Sequence, residues 1–175
     1  GENRIIAYEG LKSISKTNNI GLNMLIKKTG LDDSTITEYH VGFVLGPNIN
    51  ATGRLESAKI AVELFTTNDE SVADCLSDEL INLNNERKNM TENAAKEIIE
   101  LIENGEYKNQ NVLVIYNKNI HESIAGIVAG RVKERYYKPT IVLTKGEGLV
   151  KGSARSIESY NVRFKYSSRI KNLLK

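Results

Sequence analysis

The sequence predicts an α/β protein with a helical amino-terminal part, one long connecting helix, and a small α/β domain built on a mixed sheet. Residues 68–104 contain neither proline nor glycine, and apolar residues recur there at helical spacing. After Gly105 the pattern changes to apolar runs that alternate with one helical segment, which is typical of a β-α-β unit. We therefore predict three parts, at residues 1–67, 68–104 and 105–175.

The first part reads as helices separated by breaks. Apolar residues at helix-like spacing end at Gly30. The segment Gly46-Pro-Asn-Ile-Asn-Ala-Thr-Gly53 is rich in glycine, proline and asparagine, so the sequence predicts a shaped, irregular loop with Arg54 at its exit. A further helix is expected from about Ala58, with Ala61 and Leu64 on its apolar side.

The second part is expected to be a single amphipathic helix. Asn68 or Asp69 would cap its beginning, and Gly105 would end it. At 1.5 Å rise per residue such a helix spans roughly 50 Å, which is more than the diameter of a small domain. We therefore expect most of this helix to connect two bodies.

The third part predicts a β-α-β-β order. The continuous apolar run at 111–117 indicates a strand buried on both faces, and 123–136 indicates a helix. Residues 139–144 form the next expected strand, and 148–157 form a hairpin partner or edge strand. This order implies a parallel pair with a right-handed crossover and one added strand. An apolar stripe in 162–175 predicts a basic-faced helix docked on the sheet.

Composition excludes several classes of site. The single cysteine, Cys75, rules out a disulfide framework, and no Cys/His cluster has metal-ligand spacing. There is no apolar run of about 18 residues, and the first residues are polar, so neither a membrane span nor a signal peptide is predicted. We expect a cytoplasmic protein that has no membrane association and no metal site built from cysteine and histidine.

Charge is distributed unevenly along the chain, although the net charge is only +2. Residues 68–106 hold eleven acidic side chains and three basic ones, whereas residues 151–175 hold seven basic side chains and one acidic one. A polyanion would therefore be attracted to the carboxyl-terminal end.

That end begins with Lys151-Gly-Ser-Ala-Arg-Ser-Ile157. Gly152 allows backbone N–H groups to approach an anion, Ser153 and Ser156 add hydroxyl donors, and Arg155 offers a planar fork for two phosphate oxygens. These features predict a phosphate site. The alternative is an exposed turn that enters a strand and carries a solvated arginine.

Three strings occur in a characteristic order. They are Gly46-Pro-Asn-Ile-Asn-Ala-Thr-Gly-Arg-Leu55, His121-Glu-Ser-Ile-Ala-Gly-Ile-Val-Ala-Gly-Arg131 and the 151–157 string, with Leu83-Asn-Asn-Glu-Arg-Lys88 between the first two. In this order the chain resembles the RecJ family of single-stranded-DNA exonucleases, which are DHH/DHHA1 phosphoesterases. The resemblance covers nearly all 175 residues.

The resemblance implies two divalent metals, Mn²⁺ or Mg²⁺, that activate water and stabilise the leaving oxygen of a phosphodiester. The family's aspartate and Asp-His-His motifs that hold them do not occur in this sequence. We therefore expect that the chain starts near the end of the catalytic domain and stops before the Gly-Gly-His string of the DHHA1 domain. The expected consequence is that the chain alone is inactive and that its metals bind elsewhere.

The resemblance also assigns residues. Ser153 and Arg155 match the family's 5′-phosphate ligands, although Ala154 stands where glycine is usual. Arg54 and Asn50 belong to the string that approaches the DNA backbone, and a rigid turn is the structural alternative for that string. His121 opens the family's His-x-x-x-x-Gly string beside Ser123, which favours a phosphate or sugar contact. The expected partner is single-stranded DNA with a 5′ phosphate.

Two other functions remain open at this point. A related phosphodiesterase acting on short oligonucleotides or cyclic dinucleotides is possible, but the long helix at 68–104 argues against it. A non-catalytic single-strand-binding module is the other alternative. No protein partner can be named from the sequence.

Overall fold

The computed structural model of this protein describes residues 1–14, 16–32, 35–107, 109–146 and 148–160. The chain divides into two compact units, Gly1–Arg87 and Lys88–Lys175. The helices of the first unit are α1 (Glu2–Ile14), α2 (Ile20–Lys28), α3 (Glu38–His40), a π-helical segment (Val41–Leu45), α4 (Gly46–Leu55) and α5 (Lys59–Thr66). The helix α6 (Glu70–Glu103) contains the boundary between the units. The second unit continues with β1 (Leu113–Tyr116), α7 (Ala125–Tyr136), β2 (Thr140–Lys145) and β3 (Val150–Arg155).

The core of the first unit forms where α2 packs against α5. Asn19 joins the two helices, because its Oδ1 accepts the N–H of Leu22 at 2.8 Å and its Nδ2 donates to the carbonyl of Phe65 at 2.7 Å. Gly21 allows close packing here, since a Cβ at this position would lie 1.8 Å from the carbonyl oxygen of Leu64. The buried members of this core are Leu25, Ile26, Leu31, Ile36, Leu45, Ala61, Leu64, Ala73 and Leu80.

The prediction of an irregular loop at 46–53 is wrong, because these residues form α4. The π-helical segment directly before it carries the chain past Pro47, which has no N–H and whose ring would clash with a preceding α-helical turn. The N–H of Gly46 bonds to the carbonyl of Val41. The side-chain amide of the buried Asn48 then donates to the carbonyl of Val44 at 2.9 Å. These two bonds hold the backbone helical despite its composition.

The long helix predicted from the sequence is confirmed as α6, which has 34 residues. Asp69 caps its beginning, because its Oδ1 accepts the N–H groups of Ser71 at 2.8 Å and Val72 at 3.2 Å. The Ser71 hydroxyl also donates to Asp69, and these bonds lower the pKa of the Asp69 carboxyl. Gly105 follows the helix with a φ of +98°. No helix among the described residues is long and apolar enough to cross a membrane.

The second unit contains the mixed sheet that the sequence predicted, with the strand order β1-β2-β3. Strands β1 and β2 are parallel, and Leu113 pairs with Thr140. Strands β2 and β3 are antiparallel, and Val142 pairs with Ser153. One face of the sheet joins α6 and α7 in a core of Ala94, Ala95, Ile98, Leu113, Ile115, Ile120, Ile124, Ala125, Val128, Ala129, Val132 and Val142.

Strand β1 is not buried on both faces, contrary to the sequence prediction. Leu113 and Ile115 are buried, whereas Val114 is 40% exposed and Tyr116 is 53% exposed. A continuous apolar run cannot distinguish these cases, since alternate side chains point to opposite faces whatever their type. The predicted helix at 162–175 lies outside the described residues.

Candidate nucleic-acid interface

One face of β3 carries polar side chains at every second position. Lys151, Ser153 and Arg155 point to the same face of the sheet, because side chains alternate along a strand. This is the face on which α7 packs, since Ser153 pairs with the buried Val142. Successive members of this row are separated by roughly 6.6 Å along the strand. The string 151–157 therefore covers most of strand β3. Its alternate side chains form a row of hydrogen-bond donors beside α7.

Gly126, in the first turn of α7, lies directly against Ser153 and Arg155. A Cβ at Gly126 would lie 2.9 Å from Ser153 Oγ and 3.0 Å from Arg155 Nη2. The N-cap residue of α7, Ile124, provides no side-chain hydrogen bond to the first turn. A hydroxyl, a guanidinium and the positive end of a helix dipole therefore meet at one point, an arrangement that favours an anion. We call this group the Ser153–Arg155 seat.

Two other residues predicted for the phosphate site lie differently. Gly152 is on the opposite face of β3, where a Cβ would lie 2.5 Å from Leu143 Cδ2 and 2.7 Å from the carbonyl oxygen of Val142. Its small size therefore serves the contact between β2 and β3. Ser156 follows the strand, and its hydroxyl donates to the carbonyl of Tyr160.

His121 lies in the connection between β1 and α7, where the sequence placed it. Its Nδ1 accepts the backbone N–H of Ser123 at 3.3 Å and lies 2.7 Å from Ser123 Oγ. A backbone N–H can only donate, so in the neutral ring the proton resides on Nε2. His121 is exposed, and in this tautomer Nε2–H is the donor of its ring.

His121 also lines an open cleft of about 770 Å³ at the carboxyl ends of β1 and β2. The lining residues are Met90, Lys118, Asn119, Ile120, His121, Glu122, Lys145, Gly146, Gly148 and Lys151. Lys151 Nζ forms an ion pair with Glu122 Oε2 at 2.7 Å. The sequence analysis did not single out Lys118 and Lys145. Their positions just after β1 and at the end of β2 were the available signal, because ligands of open α/β sheets bind at the carboxyl ends of strands.

Asn50 and Arg54 lie in the first unit, one turn apart on α4. Both line a shallow cleft of about 660 Å³ between α4 and α5, together with Thr52 and Phe65. Both side chains are exposed. The predicted site residues therefore fall into three groups: the Ser153–Arg155 seat, the cleft around His121, and the α4 pair.

The described residues contain no group of three or more His, Cys, Asp or Glu side chains that could hold a metal ion. Thus the carboxylates and imidazoles described here do not form a centre for two hard cations. The chemistry available at the three groups is the binding of anions by guanidinium, ammonium, hydroxyl and N–H donors.

Comparison with known proteins finds one matching domain family and several similar proteins that share a name. Residues 109–165 match the DHHA1 domain. The single-stranded-DNA-specific exonuclease RecJ of Bacillus subtilis is 39% identical over 99% of this chain, and that of Haemophilus influenzae is 34% identical over 92%. The chain spans 22% and 29% of the lengths of these two relatives.

Solved structures of RecJ also match this chain. The crystal structure of Thermus thermophilus RecJ in complex with Mg²⁺ matches 98% of this chain with a TM-score of 0.83 and 27% identity. It is matched over 26% of its own length. The same organism's RecJ in complex with Mn²⁺ matches 90% of the chain and 22% of its own length, with a TM-score of 0.76 and 29% identity.

The mixed sheet with its Ser153–Arg155 seat is thus part of a DHHA1 domain. The chain as a whole is homologous to RecJ exonucleases along nearly its entire length. The resemblance inferred from the three strings is confirmed.

Proposed function

We propose that this chain is the DNA-end-binding part of a 5′-to-3′ single-stranded-DNA exonuclease. The homology to RecJ exonucleases supports the reaction and the class of substrate. The part assigned to this chain is to hold the 5′-phosphate end of the strand at the Ser153–Arg155 seat, with Arg54 and Asn50 contacting the backbone of the strand.

The observation that carries this proposal is the convergence of Ser153 and Arg155 on the first turn of α7 at Gly126. A terminal phosphate bears more charge than an internal phosphodiester and has an additional terminal oxygen. An arginine fork can bind two phosphate oxygens while a hydroxyl donates to the third. The seat is therefore suited to a phosphate monoester at a strand end.

Cutting is assigned to residues other than those described here. When bound, two Mn²⁺ or Mg²⁺ ions supply an activated water and charge stabilisation for phosphodiester hydrolysis. This chain's own contribution is to fix the strand end, so that the adjacent phosphodiester lies at a constant distance from that centre. The chain alone should release no nucleotides from DNA in the presence of Mn²⁺ or Mg²⁺, and nucleotide release by a nuclease-free preparation would contradict this assignment.

Fluorescence anisotropy with matched 5′-phosphorylated and 5′-hydroxyl oligonucleotides tests the seat. Arg155→Ala should remove about 1.5 to 3 kcal/mol of charge-assisted bonding, so the preference for the phosphorylated end should fall roughly tenfold to hundredfold. Arg155→Lys should restore only part of this preference, because an ammonium cannot reproduce the fork.

Arg4→Ala is a suitable control, because Arg4 is an exposed arginine on α1 in the other unit. It should leave the end preference unchanged. If Arg155→Ala weakened both oligonucleotides equally while its circular dichroism matched the parent, Arg155 would only attract the backbone and the end-binding role would be refuted.

A further inference from the structure

The cleft around His121 has a composition that the Ser153–Arg155 seat does not explain. Three lysines line it, Lys118, Lys145 and Lys151, against one described carboxylate, Glu122. These described side chains give the lining a formal charge of +2. Glu147, which lies between the lining residues Gly146 and Gly148 in sequence, is outside the described residues. We call this site the lysine cleft.

Two of the three lysines are available for a ligand. Among the side-chain hydrogen bonds and ion pairs of the described residues, none involves the ammonium group of Lys118 or Lys145, and both side chains are exposed. Lys151 is instead held by Glu122 at 2.7 Å. His121 adds its Nε2–H donor, since its Nδ1 accepts the N–H of Ser123. The cleft thus presents several donors and one carboxylate that competes with an incoming anion.

The size and the lining of the lysine cleft indicate a ligand larger than a simple ion. The cleft measures about 770 Å³, within the range of small-molecule sites, and Met90 and Ile120 give it an apolar part beside the cationic side chains. A nucleotide combines an anionic group with an apolar face in the same way. The position at the carboxyl ends of the parallel strands β1 and β2 is also where open α/β sheets bind ligands.

We propose that the lysine cleft binds a phosphate group of a nucleotide at a position separate from the Ser153–Arg155 seat. Lys151 and Ser153 are two residues apart on the same face of β3, so the two sites are neighbours along one strand. The phosphate comes either from the strand whose end occupies the seat or from a free mononucleotide. The first source rests on the proposed function, and the second does not.

The test is the Lys118→Ala/Lys145→Ala double variant, measured with a 5′-phosphorylated oligonucleotide. Affinity at low salt should fall about tenfold, a loss typical of charge-assisted contacts to phosphate. The slope of log affinity against log salt should become shallower by roughly 1.4, since each phosphate contact on a single strand contributes about 0.7. The preference for a 5′-phosphorylated end should persist, because that preference is assigned to Arg155.

Glu122→Gln should change the affinity for DNA in the opposite direction. It removes the carboxylate that holds Lys151, so affinity for the same oligonucleotide should rise. The matched control is Lys12→Ala/Lys96→Ala, which removes the same two charges from exposed side chains outside the cleft. If Lys118→Ala/Lys145→Ala bound DNA as the control does, the inference would be wrong.

Titration of the labelled chain with thymidine 5′-monophosphate, followed by amide chemical shifts, separates the two sources. Shifts at Asn119 and His121 that disappear in the Lys118→Ala/Lys145→Ala variant would identify the mononucleotide as a ligand. Shifts with the oligonucleotide alone would identify the strand, and shifts with neither would overturn the proposal. Loss of end preference in Arg155→Ala reports on the seat alone, so failure of the proposed function is distinguishable.

Discussion

Gly126 occupies the point where α7 comes nearest to the side chains of β3. The Cβ of any larger residue there would lie closer to Ser153 Oγ and Arg155 Nη2 than van der Waals contact allows, so these side chains would have to shift. Both contacts are with side-chain ends and not with backbone, so the expected response to a larger residue is that the seat changes while the fold persists.

Gly126→Ala should therefore lower the preference for 5′-phosphorylated DNA by about tenfold, equivalent to about 1.4 kcal/mol of lost phosphate contact. Folding stability should not fall, because alanine favours a helix over glycine. Anisotropy with the two oligonucleotides and a thermal melt would measure these effects.

Gly130→Ala is the matched control on the same helix, since a Cβ there would meet nothing within 4 Å. It should raise the free energy of unfolding by about 0.5 to 1 kcal/mol and leave end preference unchanged. Equal binding by the Gly126 and Gly130 variants would show that the seat tolerates displacement of Ser153 and Arg155.

At the scale of single residues, the sequence indicated which residues could bind a phosphate. It did not indicate which other residues they contact in the fold. The 151–157 string indicated Ser153 and Arg155 directly, since their donors suit a phosphate. The contact with Gly126 could not be predicted, because it depends on how α7 crosses β3. The lysine cleft was missed for the same reason: Lys118 is distant in sequence from Lys145 and Lys151, and it joins them only through the parallel pairing of β1 and β2.

Among the secondary-structure elements, composition predicted α6 correctly but predicted a loop where α4 forms. Helix α6 was predictable from the absence of proline and glycine over its whole length. Helix α4 was not, because Gly46, Pro47 and Gly53 each disfavour a helix locally. The π-helical segment and the Asn48–Val44 hydrogen bond outweigh that preference, and neither is visible from composition.

The cap of α6 gives a pH-dependent prediction. The folded pKa of Asp69 is lowered, first by the Ser71 hydroxyl and then by the N–H groups of Val72 and Ser71. Its stabilising effect is therefore complete above the unfolded pKa of about 3.9 and is lost as the pH falls through the folded pKa. Asp69→Ala should lower the thermal midpoint at pH 7, and the difference from the parent should shrink in strong acid.

Asp69→Asn is the control for this effect, since asparagine can cap a helix without a titrating group. It should retain much of the midpoint at pH 7. A difference between parent and Asp69→Ala that was the same at pH 7 and in strong acid would contradict the assignment of the cap to the ionised carboxylate.

For the whole chain, α6 shows why the division into parts was difficult to predict. Ala73 and Leu80 belong to the core of the first unit, whereas Ala94 and Ile98 belong to that of the second. The boundary between the compact units accordingly falls between Arg87 and Lys88, inside the helix. A helical pattern shows continuity of the backbone but not which core each turn joins. The three-part division at 67/68 and 104/105 stays a prediction about domains.

The distribution of charge over the chain predicts the character of DNA binding. The basic groups of the seat and the lysine cleft are proposed to contact phosphates. No phenylalanine, tyrosine or tryptophan is among the described residues that line the lysine cleft, so base stacking should contribute little there. Affinity for single-stranded DNA should fall steeply between about 50 and 200 mM salt, with a slope of roughly 0.7 per contacted phosphate. Anisotropy across that range would measure it, and affinity that was independent of salt or depended on base sequence would count against this interpretation.

Strand β3 lies at one side of the described sheet and pairs only with β2 there. A strand in that position exposes a row of unpaired backbone donors and acceptors, which can recruit a strand from another molecule and begin aggregation. Lysines and other charged side chains on such a strand oppose that association. We therefore expect Lys151 and Arg155 to oppose association through this edge, and neutralising both should lower solubility as well as affinity for DNA.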